Sequence, residues 1–268
     1  VKLSESGFQK RRIIQFESVT LFATKARRRQ DFIHVSKRKL RLRALVANTP
    51  FVAKNPFMEK SLIPSLEKRY ATKRFDPTAK LGEEQVAALI EVVRLTATSY
   101  GLQLMKLVVV TDPEIRKKLV EHAYNQTQIT DASHLFVLCR ERNLSAEQFE
   151  NHVRNISDIR GVPPESLEKP KSNWMKAIFE KSQRDQEVWM EKQVYIALGN
   201  LLTAAAVLGV DACPMEGFKP EKFDEVLELE KLNLASVLVC PLGFRSVEDG
   251  YATAKKVRRP VEQFVVRK

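Results

Sequence analysis

Glycine is scarce in this chain, nine residues in 268, and none falls in a G-x-G-x-x-G or P-loop pattern. Any bound phosphate must therefore be held by basic side chains and not by a glycine cradle at a helix N-terminus. Cysteine is limited to Cys139, Cys213 and Cys240, an odd and scattered set without C-x-x-C spacing. That excludes a disulfide framework and a structural zinc site, and reads as buried thiols. Histidine is equally sparse. His122, His134 and His152 show neither metal-ligand spacing nor a triad partner, so a zinc centre and a nucleophile relay are not expected. His134 reads as a packed strand residue. Long apolar runs are absent but for Gln193–Val210, which carries no charge. It is long enough to cross a bilayer, yet Gln193, Tyr195, Asn200 and Thr203 interrupt it, so it reads as a buried core or interface helix.

Acidic residues are missing from the start of the chain. Residues 1–57 carry 14 Lys and Arg against Glu5, Glu17 and Asp31, whereas residues 58–268 carry 31 bases and 30 acids. The net charge of +12 thus belongs to a basic leader. Three readings of residues 1–57 stand open: upstream sequence ahead of a start at Met58, an organellar transit peptide, or a tail binding nucleic acid nonspecifically. The expected compartment is cytoplasmic, or an organelle if the leader is a transit peptide.

From Met58 the pattern becomes regular. A short helix with Pro64 near its start is followed by GEEQVAALIEVVRLTA, which places Val86, Leu89, Ile90 and Val93 on one helical face. A strand is expected over 104–111, closed by Asp112 as helix cap and Pro113 in the first turn. A buried strand follows over 133–140, then a polar helical region over 145–184. A long helix from about Gln186 to Leu208 ends at Gly209. DACPME (211–216) reads as a short strand and turn, KPEKFDEVLEL as a helix, 234–244 as a strong strand, and EQFVVR as a terminal strand. Strands and helices do not alternate strictly, which predicts an α+β fold with a helix-wrapped sheet.

Six segments in order, KRYATKRFD (68–76), SYGLQ (99–103), YNQTQITDASH (124–134), WMEKQVYIALGNLL (189–202), CPMEGF (213–218) and KKVRRP (255–260), resemble the flavin-binding segments of the nitroreductase family. The resemblance covers about Met58 to Lys268. It implies a mixed sheet wrapped by helices and a homodimer whose C-terminal strand is exchanged. It also implies FMN at the interface, NADH or NADPH as co-substrate, and ping-pong hydride transfer to a small flat acceptor such as a nitroaromatic, quinone or pterin. Arg69, Lys256 and Arg258 match the residues that grip the FMN phosphate. Lys73 and Asn125 match those at the flavin pyrimidine edge. Glu216 and Gly217 match the turn beside N5, and Ser99 and Tyr100 match a loop reaching the flavin across the dimer.

Two positions depart from the common pattern. Ala71 stands where many members have a phosphate-binding Ser, and Gln128 where some have a second Lys. These departures leave open a flavin-binding protein with weak reductase activity. Trp174, Met175 and Phe179 fall where the family places a helix covering the substrate channel, and at helical spacing they fit a core equally well. No side chain is expected to act as a catalytic acid, because solvent can protonate a reduced acceptor.

Overall fold

The computed structural model describes residues 62–268; the readings for residues 1–57 and the boundary at Met58 lie outside them. Pro64 sits in the first turn of α1 (Ile63–Lys68), where a missing N–H costs nothing. Helix α2 (Glu83–Arg94) buries Leu89 and Val93 and half-buries Val86. Ile90, expected on the same face, is exposed. Helix α2 packs chiefly on one other helix, the long α7 (Gln183–Val207), which covers only a narrow stripe of it.

Strand β1 (Met105–Val110) leads to α3 (Pro113–Glu121), capped by Asp112, whose carboxylate accepts from the N–H groups of Glu114 and Ile115. Then come α4 (Gln128–Asp131), β2 (His134–Glu141), α5 (Ala146–Arg160) and α6 (Glu168–Phe179). Helix α7 starts three residues earlier than expected because Ser182 caps it, accepting from the Asp185 N–H. It closes at Gly209, whose φ of 71° suits glycine. The chain finishes with β3 (Asp211–Ala212), α8 (Pro220–Val226), β4 (Leu234–Gly243) and α9 (Val261–Phe264).

The four strands form antiparallel ladders in the order β1-β2-β4-β3, and a parallel bridge between Ala71 and Ala212 makes the edge mixed. Helices cover both faces. Leu135, Val137 and Cys139 of β2 point into one layer with Leu119, Ile129 and Phe223. Phe136 and Leu138 point into the other with Leu89, Val194 and Leu201. Burial on both faces explains why β2 reads as an unbroken apolar run. A third, smaller core gathers Leu102, Leu104, Phe149, Ile178 and Met190 where α5 and α6 meet the start of α7. All three cysteines are buried free thiols.

The uncharged 193–210 stretch lies along α7 and buries Gln193, Val194, Ala197, Leu198, Leu201 and Ala205. Among the described residues no helix is long and apolar enough to cross a membrane. One expectation fails. EQFVVR forms no strand: Pro260 opens α9, and the backbone turns extended only at Val265. A strand needs a neighbouring ladder, and residues 262–267 find none among the described residues.

Candidate functional site

The basic residues of KRYATKRFD and KKVRRP meet at the edge of the sheet. Arg69 ends α1 in an extended conformation. The Lys256 ammonium donates to the Arg69 carbonyl. Ala71 bridges to Ala212, and the Thr72 N–H donates to the Ala212 carbonyl at 3.3 Å. Asp249 then fastens the segment. Its nearly buried carboxylate accepts from the N–H groups of Lys73 (2.8 Å), Arg74 (3.0 Å) and Tyr251 (3.0 Å). Burial and the same carboxylate push the Tyr70 phenol up to about 12. Arg245 lies over the Tyr70 ring at 4.6 Å and pairs with Asp211.

Electrostatics single this corner out. Burial lowers the Lys256 ammonium below its usual value, and the charges of Arg258 and Arg69 lower it further. Arg69 is lowered by burial and by Arg258, while Cys240 and Cys213 oppose the shift. Among the described residues, Arg69, Lys73, Lys256 and Arg258 make no ion pair. Arg69, Lys256 and Arg258 repel one another, and a bound anion between them would relieve that repulsion. A phosphate dianion fits, since its oxygens accept charge-assisted hydrogen bonds from Arg and Lys.

A second corner forms where YNQTQ docks on PMEGF. Tyr124 and Asn125 both adopt left-handed backbone, φ 53° and 56°. The turn is held by the Asn125 N–H on the Val120 carbonyl at 3.0 Å and by the Gln126 amide on the Gly217 carbonyl at 2.9 Å. Gln128 is nearly buried at the start of α4, with its side-chain amide reaching the surface. An open amide at that depth suits a polar ligand edge. Helix α4, which carries Gln128, is tied down by buried Arg116 donating to the carbonyls of Ile129, Ala132 and Ser133. The Glu216 carboxylate accepts from the Tyr195 phenol on α7. Burial, then Glu216, push that phenol up to about 12, so it stays a donor at neutral pH. Cys213 to Met215 join the two corners: Cys213 lies near Lys73 and Arg69, and Met215 bridges to Val239.

Ser99 and Tyr100 stand apart. The Ser99 N–H donates to Gln193 Oε1 at 2.8 Å and the Tyr100 carbonyl accepts from His152 Nε2 at 3.1 Å, with no bond to either corner. Trp174 and Met175 pack on the third core, and the exposed Phe179 stacks on Phe149 at 5.4 Å. His134 sits half-buried at the start of β2 against the Ser133 hydroxyl. No group among the described residues could hold a metal ion. A cavity of about 1100 Å³ opens beside Tyr195 and Glu216, lined also by Glu191, Glu221, Asp224 and Glu225. Its lining also holds Arg140, Arg142 and Lys231, but acids outnumber them, so it suits a phosphate less well than the cationic corner. Sequence reasoning missed Asp249, Arg116 and Tyr195. Only Tyr195 lay inside a segment already singled out.

Known proteins resemble this chain in sequence and fold. The family model described as Nitroreductase family matches residues 66–244. A Staphylococcus haemolyticus protein named for a proposed NAD(P)H nitroreductase activity is 31% identical over 216 residues, covering 78% of this chain and 97% of its own length. A similarly named Staphylococcus aureus protein is 33% identical over 202 residues, covering 71% of this chain and 89% of its own. A nitroreductase-type structure from Exiguobacterium sibiricum, solved in complex with FMN, superposes with a TM-score of 0.68 at 18% identity, covering 77% of this chain and 97% of that one.

Proposed function

Because this chain belongs to the nitroreductase family of oxidoreductases, we propose that it is an FMN-dependent NAD(P)H oxidoreductase acting as a homodimer on flat acceptors such as nitroaromatics, quinones or pterins. When bound, FMN supplies a two-electron hydride relay, taking electrons from NAD(P)H and passing them to an acceptor that next occupies the same face. The chain's own residues hold and tune that site. Arg69, Lys256 and Arg258 clamp the phosphate. Lys73 sets a positive charge at the pyrimidine edge, where negative charge grows on reduction. Asn125 and Gln128 hydrogen-bond that edge, while Ala71 offers the phosphate only a backbone N–H. The backbone of Glu216 and Gly217 would serve flavin N5, the turn being held by the Tyr195 phenol on the Glu216 carboxylate and the Gln126 amide on the Gly217 carbonyl. Solvent delivers the proton to a reduced acceptor, so no catalytic side chain is assigned.

The observation that carries the reading is the unpaired cation cluster of Arg69, Lys256 and Arg258. Dimerisation is supported by the solvent-facing apolar residues Ile196 and Leu208 on and just beyond α7, Leu95 after α2, and Phe264 and Val266 in the tail. It also gives Ser99 and Tyr100 a flavin to reach, in the partner copy, and gives the tail a sheet edge on which to form its strand. Calorimetric titration of the flavin-stripped protein with FMN tests the reading. Arg69→Ala and Lys256→Ala are each expected to weaken binding about tenfold or more, one charge-assisted contact being worth about 1.5–3 kcal/mol. Wild-type affinity in both variants would contradict it.

A further inference from the structure

His152 lies outside every segment that points to flavin binding, yet it joins the 99–101 turn to helix α6. It projects from α5, and its Nε2 lies 3.1 Å from the Tyr100 carbonyl. A carbonyl can only accept, so Nε2 carries the proton. The same ring packs on Trp174 of α6, centroids 5.5 Å apart, and Trp174 packs in turn on the Tyr100 ring at 6.2 Å. Three rings from α5, α6 and the 99–101 turn thus close on one another.

The turn needs holding. Tyr100 has φ 58°, Gly101 φ 72° and Gln103 φ 49°, three left-handed residues within four positions. Only the glycine adopts that region without strain. Besides its own internal bonds, the turn is anchored by the Ser99 N–H on Gln193, the Gln103 amide on the Arg94 carbonyl, and His152 on Tyr100. The peptide that follows the strained tyrosine is held at both ends, its Gly101 N–H on the Thr98 carbonyl within the turn and its carbonyl on His152, the one bond that ties this peptide to another element. The strain of one left-handed non-glycine residue and the worth of one hydrogen bond are comparable, so removing that bond lets Tyr100 relax. Tyr100 is 48% exposed, so its ring is open to a ligand, and a shift of the ring changes the space left for one beside it.

We propose that His152 is a positioning residue for acceptor selection: it clamps Tyr100 in its left-handed conformation and couples the 99–101 turn to helices α5 and α6. This rests on the oxidoreductase reading above, in which that turn reaches the flavin of the partner copy. His152 touches neither cofactor nor acceptor, and acts through Tyr100.

The test uses the full chain loaded with FMN, as wild type, His152→Phe, which keeps a ring against Trp174 without the donor, and His152→Gln, which keeps a donor. Two readouts are taken. One is kcat/KM for a one-ring quinone (1,4-benzoquinone) relative to a two-ring quinone (menadione). The other is hydrogen exchange at the amides of Gly101 and Leu102, which donate within the turn to Thr98 and Ser99. In His152→Phe the quinone ratio is expected to change about tenfold, the loss of one hydrogen bond, and exchange at both amides to speed up. His152→Gln should restore both towards wild type. A ratio and exchange pattern unchanged in His152→Phe would overturn the clamp while wild-type turnover stands. Equal loss with both quinones and no rescue by His152→Gln would likewise overturn it, leaving only a structural role. A wild-type protein that takes up FMN but oxidises neither NADH nor NADPH would overturn the oxidoreductase reading, and the clamp with it.

Discussion

Asp249 shows how much of a site can hang on a residue that carries no signature. In the sequence it is one acid in a polar turn; in the fold its carboxylate collects three backbone N–H groups and joins the Lys73 segment to the chain that leads on to Lys256 and Arg258. Burial alone would raise its pKa, but the N–H groups of Arg74, Lys73 and Tyr251, with the Tyr70 phenol, bring it below the usual carboxylate value. A depressed carboxyl contributes its full stabilisation above the unfolded value of about 3.9 and loses it as pH falls through the folded value. Asp249→Asn is therefore expected to cost about 2 kcal/mol at pH 7, and the gap from wild type should narrow below about pH 4. Melting temperatures measured between pH 7 and pH 3 check this; a gap that stays constant would contradict it. The cations were legible because a phosphate without a glycine cradle demands them. Asp249 and Arg116 were not, since each is defined by backbone groups it meets far along the chain, and EIRKKL around Arg116 reads as a solvated helix face although Arg116 is 4% exposed.

At the scale of elements, local chemistry was readable wherever it fixed an end. Asp112–Pro113 opened α3, Pro64 fell in the first turn of α1, and Gly209 closed α7. Periodicity told buried from exposed less well, because it registers how apolar a face is and not what covers it: Ile90 fits the stripe of α2 but faces solvent. The terminal segment failed for a related reason. EQFVVR has strand composition, but a strand is a property of a pair, and the described residues supply no partner ladder. Helix α7 carries the remaining interface claim. Ile196, half-exposed and flanked by Tyr195 in an uncharged stretch, sits where a second copy would bury it. Ile196→Glu is expected to convert a dimer into a species near the chain mass of 30.7 kDa in light scattering and to lower flavin retention with it. A variant that stays dimeric would move the interface elsewhere.

For the molecule as a whole, the fold and the family were legible because six spaced segments had to occur in order, a constraint that no single motif imposes. The identity of the acceptor was not, because the proposed selecting residue Tyr100 and the residues that hold it, His152 and Trp174, come together from three distant segments. The nucleic-acid reading belongs to residues 1–57 and is separate: salt-dependent DNA or RNA binding that vanishes on their deletion would support it. The proposed function requires residues 58–268 to hold FMN and to exchange hydride through it. The most direct test is the visible spectrum of the purified protein, recorded without oxygen before and after NADH or NADPH, and again after a quinone or nitroaromatic. The account predicts a yellow protein whose flavin band bleaches with at least one nicotinamide and returns with the acceptor. A protein that stays colourless when FMN is supplied would contradict the site itself, and one that stays yellow under both nicotinamides would leave a flavin-binding protein without the proposed reductase activity.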